Sequence, residues 1–491
     1  MILNLLIFFS GALGVLAFSP FNLWWVSIVS LSLLLTLFTQ NNYKQGFKLG
    51  FIYGLGFFGI GISWVFNSFS DFGDAPFVVA LLLTIVLVLV KSCFTGFVFY
   101  FFGKVIDRKI GYVLSALSFI ALWVLFEWIR SWFLSGFPWL LLGQSLVDSP
   151  FKGIIPIFGT YGGSALLVML AYGVTQMLIG EQKTMRHWVT LIVIICITVY
   201  FSGRINWTMS VDDQQIKVAA VQANIDFDLK WDRERRNEVY DIYMNLTRKH
   251  WDSEIIVWPE TAIPTYYDVA RENFIPQFEP EVIENDSEIL AGIFTYDPET
   301  GFIFNSMVSM GAERQFYHKK HLVPFGEYLP FRWLLTIFQK FVNIPMSDLS
   351  PGDENYIVYL RGIPVGVSIC YEAAFGEEII QSFPEAQLLV NVSNDAWFGD
   401  SLAPHQHLQI ARMRSLESGR YMIRATNTGI SALIDAKGRI IIRSGQFIRE
   451  VVSGELIPMK GTTPFIIWGN WAIIVSMIVI LLVVFVRKNN S

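Results

Sequence analysis

The sequence predicts a multi-span α-helical membrane domain of eight transmembrane helices joined to one extramembrane α/β domain. Three observations carry that expectation. Of 491 residues, 53% are hydrophobic and only 16% are charged, against about 25% charged in soluble chains. The apolar residues form long runs before Gly203 and after Pro464, while the charges gather between Arg204 and Lys460. Inside that charged block, short β-branched runs alternate with amphipathic segments, the pattern of an α/β domain.

Apolar runs of about 17 to 25 residues are long enough to cross a bilayer. They fall at Ile2–Phe18, Leu23–Phe38, Phe47–Phe66, Phe77–Phe102, Tyr112–Trp128, Gly162–Gly180, Trp188–Ser202 and Phe465–Val486. The first has no basic segment ahead of it and runs on into Phe18-Ser19-Pro20-Phe21, so it reads as a retained helix rather than a signal peptide. The expected domains are therefore 1–203 with seven helices, 204–464 outside the membrane, and 465–491 with the last helix and a short tail.

Basic residues in short loops set orientation. Alternate connections hold Lys44 and Lys48, then Lys104, Arg108 and Lys109, then Lys183 and Arg186, then Arg487 and Lys488. The opposite short loops hold no charge (Ser19–Asn22) or the acids Asp71 and Asp74. Both termini are then cytoplasmic and the polar block is outside. Lys91, Glu127 and Arg130 interrupt the spans, and the last two, at i and i+3, suit a pair on one helix face. Ser135–Leu140 and Gly159–Gly163 carry Gly, Pro and aromatic residues that suit non-helical segments at the outer boundary.

In the polar block, Ile216–Val221, Glu254–Trp258, Ile289–Phe294, Phe302–Met310, Arg314–Tyr317, Tyr356–Leu360, Pro364–Ile369, Leu388–Val392, Met422–Ala425, Ile430–Ile434 and Ile440–Ile442 read as strands. Asp232–His250 and Gln406–Ser418 read as helices. A net charge of −5 and the lack of a basic stripe argue against nucleic acid. The three cysteines, Cys93, Cys196 and Cys370, permit no disulfide framework. The pairs His318/His321 and His405/His407 lack a third ligand, so no metal and no cofactor is expected.

Reactive groups in α/β sheets gather where strands end. Glu260 follows Ile255–Pro259, Lys319 follows Phe316-Tyr317, and Cys370 follows Val365–Ile369 just ahead of a helix-compatible segment. A helix N-terminus there would favour the Cys370 thiolate. Together the three supply a general base, a cation for an oxyanion and a nucleophile. No Ser-His-Asp arrangement competes with them.

Trp258-Pro259-Glu260-Thr261-Ala262, the run Tyr317–Tyr328 and Ile369-Cys370-Tyr371-Glu372 resemble the Glu–Lys–Cys signature of the nitrilase, or carbon–nitrogen hydrolase, superfamily. The near-complete run Lys319–Tyr328 and the eight-span frame narrow the resemblance to its membrane-embedded apolipoprotein N-acyltransferase family. Val392–Gly399, Arg424–Gly429, Phe18–Phe21 and Gly136–Trp139 are similar to that family as well.

The resemblance implies a nitrilase-like α-β-β-α sandwich in the periplasm, anchored in a bacterial inner membrane. It implies an acyl transfer from the sn-1 position of a phospholipid such as phosphatidylethanolamine, through a thioester on Cys370. The acceptor is the α-amine of the S-diacylglyceryl-cysteine that begins an apolipoprotein. Glu260, Lys319 and Cys370 are the implied catalytic residues. Glu327, Tyr371 and Glu372 would support them, and Trp231, Asn305 and Trp397 would bind substrate. A membrane-anchored amidase acting on a small C–N substrate is the alternative. Between Lys319 and Cys370, Trp333–Val342 has a wide apolar helical face that suits an arm dipping into the bilayer.

Overall fold

The computed structural model describes residues 1–41, 43–73, 75–106, 111–212, 214–329, 349–353 and 355–489. The expected arm at Trp333–Val342 lies outside the described residues, as do Asp74, Arg108 and Lys109 of the loop-charge pattern. The chain forms two units. One comprises Met1–Phe69, Phe77–Asn206 and Ile467–Ser491, and the other Ser70–Pro76 and Trp207–Ile466.

The first unit is helical. Among the described residues, four helices are long and apolar enough to cross a membrane: Phe77–Ile106, Tyr112–Ser135, Lys152–Ile179 and Thr184–Ser202. Gly46–Gly61 and Val65–Asp71, bent by 60° at their junction, make a fifth if taken as one span. Three further apolar helices, Ile2–Ala17, Trp25–Gln40 and Trp471–Arg487, are shorter. At 1.5 Å per residue a helix of about 17 residues is about 25 Å long, short of the ~30 Å hydrocarbon core. Helix length thus supports four to five spans, where the apolar runs suggest eight. The difference arises because some runs include turns. Phe465–Val486, for example, is broken at Gly469 (φ +56) between Pro464–Trp468 and Trp471–Asn489.

The non-helical expectation divides. Leu134, Ser135, Gly136 and Leu140 all have positive φ, so the chain there is open. Gly159–Gly163 is instead inside the helix Ile155–Ile179, and only Gly159 (φ +64, ψ −168) leaves helical geometry. Without a Cβ, Gly159 alone can break the helix while its neighbours continue it. Glu127 and Arg130 turn to the backbone of the open segment. The Glu127 carboxylate accepts the Leu142 N–H and the Trp123 indole N–H, both at 3.0 Å, and Arg130 donates to the Trp139 carbonyl at 2.6 Å. Lys91 is buried with its ammonium 5.2 Å from the centre of the Phe137 ring.

The second unit is a four-layer α-β-β-α sandwich, its strands numbered along the chain. One sheet runs β13 (Glu450–Leu456), β2 (Ile216–Gln222), β3 (Ile255–Val257), β4 (Glu288–Tyr296), β5 (Ile303–Met310), β6 (Phe316–His318). The other runs β12 (Ile440–Arg443), β11 (Ala432–Ile434), β10 (Met422–Thr426), β9 (Leu388–Ser393), β8 (Ile363–Ile369), β7 (Ile357–Leu360). A two-stranded pair, β1 (Met209–Ser210) with β14 (Met459–Lys460), stands apart. Side-chain alternation builds the layers. Val218 and Ala220 of β2 enter the core shared with Val365, Val367 and Val390 of the other sheet. Ala219 and Val221 face Val239 and Tyr243 of the helix Arg236–Thr247. On the far side, Leu389 and Met422 pack on Leu408 and Ala411 of the helix Ala403–Ser418.

This packing brings strand ends together. β3 is parallel to β2 and β4, and β8 is parallel to β9. The β3–β4 junction is tight: a Cβ on Gly292 would lie 2.3 Å from the Thr261 nitrogen and 2.4 Å from the Pro259 carbonyl oxygen. Both are backbone atoms and cannot swing aside. Gly292→Ala is therefore expected to destabilise the chain by about 1–3 kcal/mol, read as a lower thermal unfolding midpoint of the purified full-length protein.

Candidate active site

Glu260 sits in the turn after β3, and Thr261 beside it is held at φ +51. Its Oε1 accepts the Asn305 amide at 2.7 Å and the Lys319 ammonium at 3.4 Å, while Oε2 accepts the Asn394 backbone N–H at 2.9 Å. Lys319 directly follows β6 and is 1% exposed. Its Nζ also donates to Glu327 Oε1 at 2.8 Å, and that same oxygen accepts Asn305 Nδ2 at 3.0 Å. Glu327 Oε2 takes the Val323 N–H at 2.7 Å. Two buried carboxylates thus share one ammonium and one amide. Burial alone would lower the Lys319 pKa, but Glu327 and Glu260 more than reverse it and hold the ammonium protonated well above its ordinary range.

Cys370 opens a turn after β8 with φ +53, in the left-handed region that a side chain seldom adopts. Burial first, then the Glu260 carboxylate, push its thiol well above the ordinary range, against the pull of Lys319 and a hydrogen bond with Ser393. The expectation of a resting thiolate is therefore corrected. The segment Cys370–Ala374 is a five-residue 3-10 turn, too short to supply the dipole of a true helix.

Glu372 ties the lysine end to the cysteine end. Its Oε2 accepts the Ile369 N–H at 2.6 Å and the Tyr317 hydroxyl at 2.7 Å, and its Oε1 accepts the Lys320 N–H at 2.7 Å. Tyr371 is buried edge-on to Phe375, with ring centres 5.1 Å apart. Asn305, expected among substrate-binding residues, is occupied with the two carboxylates. Trp231 is half-buried and stacks on Phe294 at 5.9 Å, and Trp397 is half-buried in the turn Asp395–Phe398. Among the described residues no cluster of three or more His, Cys, Asp or Glu side chains could hold a metal.

Two family models match the chain: the apolipoprotein N-acyltransferase N-terminal domain over residues 10–173 and carbon-nitrogen hydrolase over residues 217–460. The apolipoprotein N-acyltransferase of Methylococcus capsulatus is 38% identical over 482 residues, 98% of this chain and 95% of that protein. That of Coxiella burnetii is 36% identical over 485 residues, covering 98% of this chain and 99% of its own. The chain belongs to the apolipoprotein N-acyltransferase family. Among solved structures, it is similar to Saccharomyces cerevisiae Nit3, a member of branch 10 of the nitrilase superfamily. That likeness is 21% in identity, with a TM-score of 0.37, covering 50% of this chain and 91% of that one.

Behind Cys370 lies a polar network whose members the sequence reading touched on separately but did not join. His407, on the helix Ala403–Ser418, which is buried except for the half-buried His405, has Nε2 3.0 Å from the Cys370 carbonyl oxygen and Nδ1 2.9 Å from Asp395 Oδ1. Asp395 also accepts the Ser393 hydroxyl at 2.7 Å and the Arg424 guanidinium at 3.0 Å, and Arg424 donates to Asn391 as well. Burial would raise the Asp395 pKa, but Arg424 and His407 hold it well below the carboxylate range. The advance signals were the family-like runs Val392–Gly399 and Arg424–Gly429, which hold Asp395 and Arg424, and the crowding of polar residues such as Gln406, His407, Gln409 and Arg412 into a segment flanked by strands.

Removing one member of a fully buried ion pair leaves the other charge without compensation, whereas an exposed pair is screened. Asp395→Asn is expected to cost about 3–5 kcal/mol of stability by stranding Arg424. Lys217→Ala, at the exposed pair with Asp252, is expected to leave the unfolding midpoint essentially unmoved. Thermal unfolding of the two variants side by side reads the difference.

Proposed function

We propose that this chain transfers an acyl group from the sn-1 position of a membrane phospholipid to the α-amine of an S-diacylglyceryl-cysteine at the start of an apolipoprotein. The observation that carries the proposal is the Lys319 ammonium between Glu260 and Glu327, within electrostatic reach of the Cys370 thiol. Membership of the apolipoprotein N-acyltransferase family supports it and does not favour the small-substrate amidase alternative.

In the first half-reaction Glu260 takes the proton from Cys370 Sγ as the sulfur attacks the ester carbonyl carbon. The Lys319 ammonium stabilises the oxyanion that forms. Collapse breaks the carbon–oxygen bond, and the departing lysophospholipid oxygen takes the proton back from Glu260. An acyl thioester remains on Cys370. In the second half-reaction the acceptor amine attacks the thioester carbon and gives a proton to Glu260. Collapse expels the Cys370 sulfur, which is reprotonated, and an amide bond has replaced the thioester. Sulfur suits both halves because it is a good nucleophile and a good leaving group. Trp231 and Trp397 would line the acyl or acceptor side, and Tyr371 and Glu372 would hold the turn that carries Cys370.

The reading extends to the membrane. All eight apolar helices cross the bilayer in this proposal, with domains 1–203, 204–464 and 465–491, both termini cytoplasmic and the catalytic domain periplasmic on an inner membrane. The short-loop charges support it. Phosphatidylethanolamine is the proposed donor. A catalytic domain tethered in the chain by spans on both sides meets lipid-anchored substrates without extracting them. Lifting an acyl chain into water would cost about 0.8 kcal/mol per CH₂.

Intact mass after incubation with phosphatidylethanolamine tests the proposal. Wild-type protein is expected to gain one acyl group that hydroxylamine removes, and Cys370→Ala to gain none. Lys319→Ala strands two buried carboxylates and is expected to lower the unfolding midpoint; in the fraction that thermal unfolding shows to be folded, acylation is expected to fall by at least about a hundredfold, the scale of a lost oxyanion donor. Wild-type protein that N-acylates a lipopeptide without ever carrying the adduct would contradict the thioester.

A further inference from the structure

The mechanism above leaves one buried cation unused, and it lies in the helical unit. Lys91, on the helix Phe77–Ile106, is 6% exposed. Its ammonium is 5.9 Å from the centre of the Phe94 ring and 5.2 Å from that of Phe137. Among the described residues it has no hydrogen bond and no ion pair. Two aromatic faces attract a cation, but they return far less than an ammonium gives up on leaving water. Ionisable groups inside membrane proteins ordinarily pair with one another for that reason.

The charges nearby do not answer Lys91. Arg130 is within electrostatic reach of it and is a second cation. Arg130 donates to the Trp139 and Leu140 carbonyls. The one carboxylate of the group, Glu127, is coupled to Arg130 on its own helix, and its Oε1 accepts the Leu142 and Trp123 N–H groups. Two buried cations thus face one carboxylate, and the charge left over is that of Lys91.

The surroundings of Lys91 suit an anion that carries apolar tails. The Phe94 ring meets the Phe133 ring edge-on with centres 6.3 Å apart, and Phe133 and Leu134 are 44% and 57% exposed. Val90, beside Lys91 on the same helix, is also exposed. In a membrane protein, exposed apolar side chains of this kind lie against acyl chains. Phe137, which covers the ammonium from the other side, belongs to the open segment Leu134–Leu140. A lysine ammonium binds phosphate as a point charge, and basic pockets between membrane helices receive lipid headgroups.

We propose that Lys91 binds the phosphate of a membrane phospholipid, whose acyl chains lie along Val90, Phe133 and Leu134. The phosphate supplies the negative charge that this part of the unit lacks. The inference rests on the membrane setting of the helical unit and is independent of the acyl-transfer steps.

Native mass spectrometry of the full-length protein in detergent micelles tests it, with dihexadecyl ether phosphatidylethanolamine as the lipid. That lipid has no ester, so Cys370 cannot consume it. Wild-type protein is expected to retain one lipid that Lys91→Met and Lys91→Gln bind at least about tenfold more weakly, the scale of a lost charge-assisted contact. Lys91→Arg is expected to keep it. Dihexadecylglycerol, with the same tails and no phosphate, is expected not to be retained. Inorganic phosphate in excess is expected not to displace the lipid, because it has no tails. The two neutral variants keep the test open if one of them fails to fold.

Equal retention of the phospholipid by wild-type protein and the neutral variants overturns the inference and leaves Lys91 an amine packed between two rings. Equal retention of dihexadecylglycerol overturns it too, because the site would then read tails alone. Displacement by inorganic phosphate overturns the lipid as the source of the anion.

Discussion

Two carboxylates converge on one ammonium, and the rest of the site follows from that. Glu260 and Glu327 both reach Lys319, at 3.4 and 2.8 Å, and both accept from Asn305. Taking three charges out of water is costly unless each finds partners. Every remaining acceptor on the two acids is accordingly met by a backbone N–H, from Asn394 and Val323. The result is a rigid anionic frame with a cation fixed in it before any substrate arrives, which is what electrostatic preorganisation requires.

The same frame surrounds the proposed nucleophile. Burial and the Glu260 carboxylate push the Cys370 thiol up, against the pull of Lys319. In the proposed mechanism the carboxylate takes the thiol proton as the sulfur attacks. The left-handed backbone at Cys370, the His407–Asp395–Arg424 network behind it and the Glu372 bridge to the lysine segment all hold one sulfur atom in place. Strain of this kind persists only where the surroundings overdetermine it.

Much of this was legible along the chain, for local reasons. Short β-branched apolar runs at Ile216–Val221 and Val365–Ile369 marked strands, and strand ends marked the positions of Glu260, Lys319 and Cys370. The layering of two sheets between helices came only with the family resemblance. What could not be read locally depends on register. His407 meets Cys370 from 37 positions away, and Lys230 meets Thr261 from 31. Local chemistry also misled at boundaries. The helix expected from Asp232 begins at Arg236 because the Asp232 side chain accepts the Glu234 N–H and turns the chain first. In the helical unit, runs of apolar residues conceal their breaks, since a turn within hydrocarbon-compatible sequence looks like helix until a glycine such as Gly159 or Gly469 shows its backbone angle.

The central claim is that Cys370 accepts one acyl group and holds it for an amine rather than for water. A single-turnover count of lysophospholipid released without any acceptor tests it most directly. The account predicts one lysophospholipid per protein molecule and then arrest, with release resuming when a lipopeptide bearing a free N-terminal diacylglyceryl-cysteine is added. Continuous release with no acceptor present would contradict it, because water would then be discharging the acyl-enzyme.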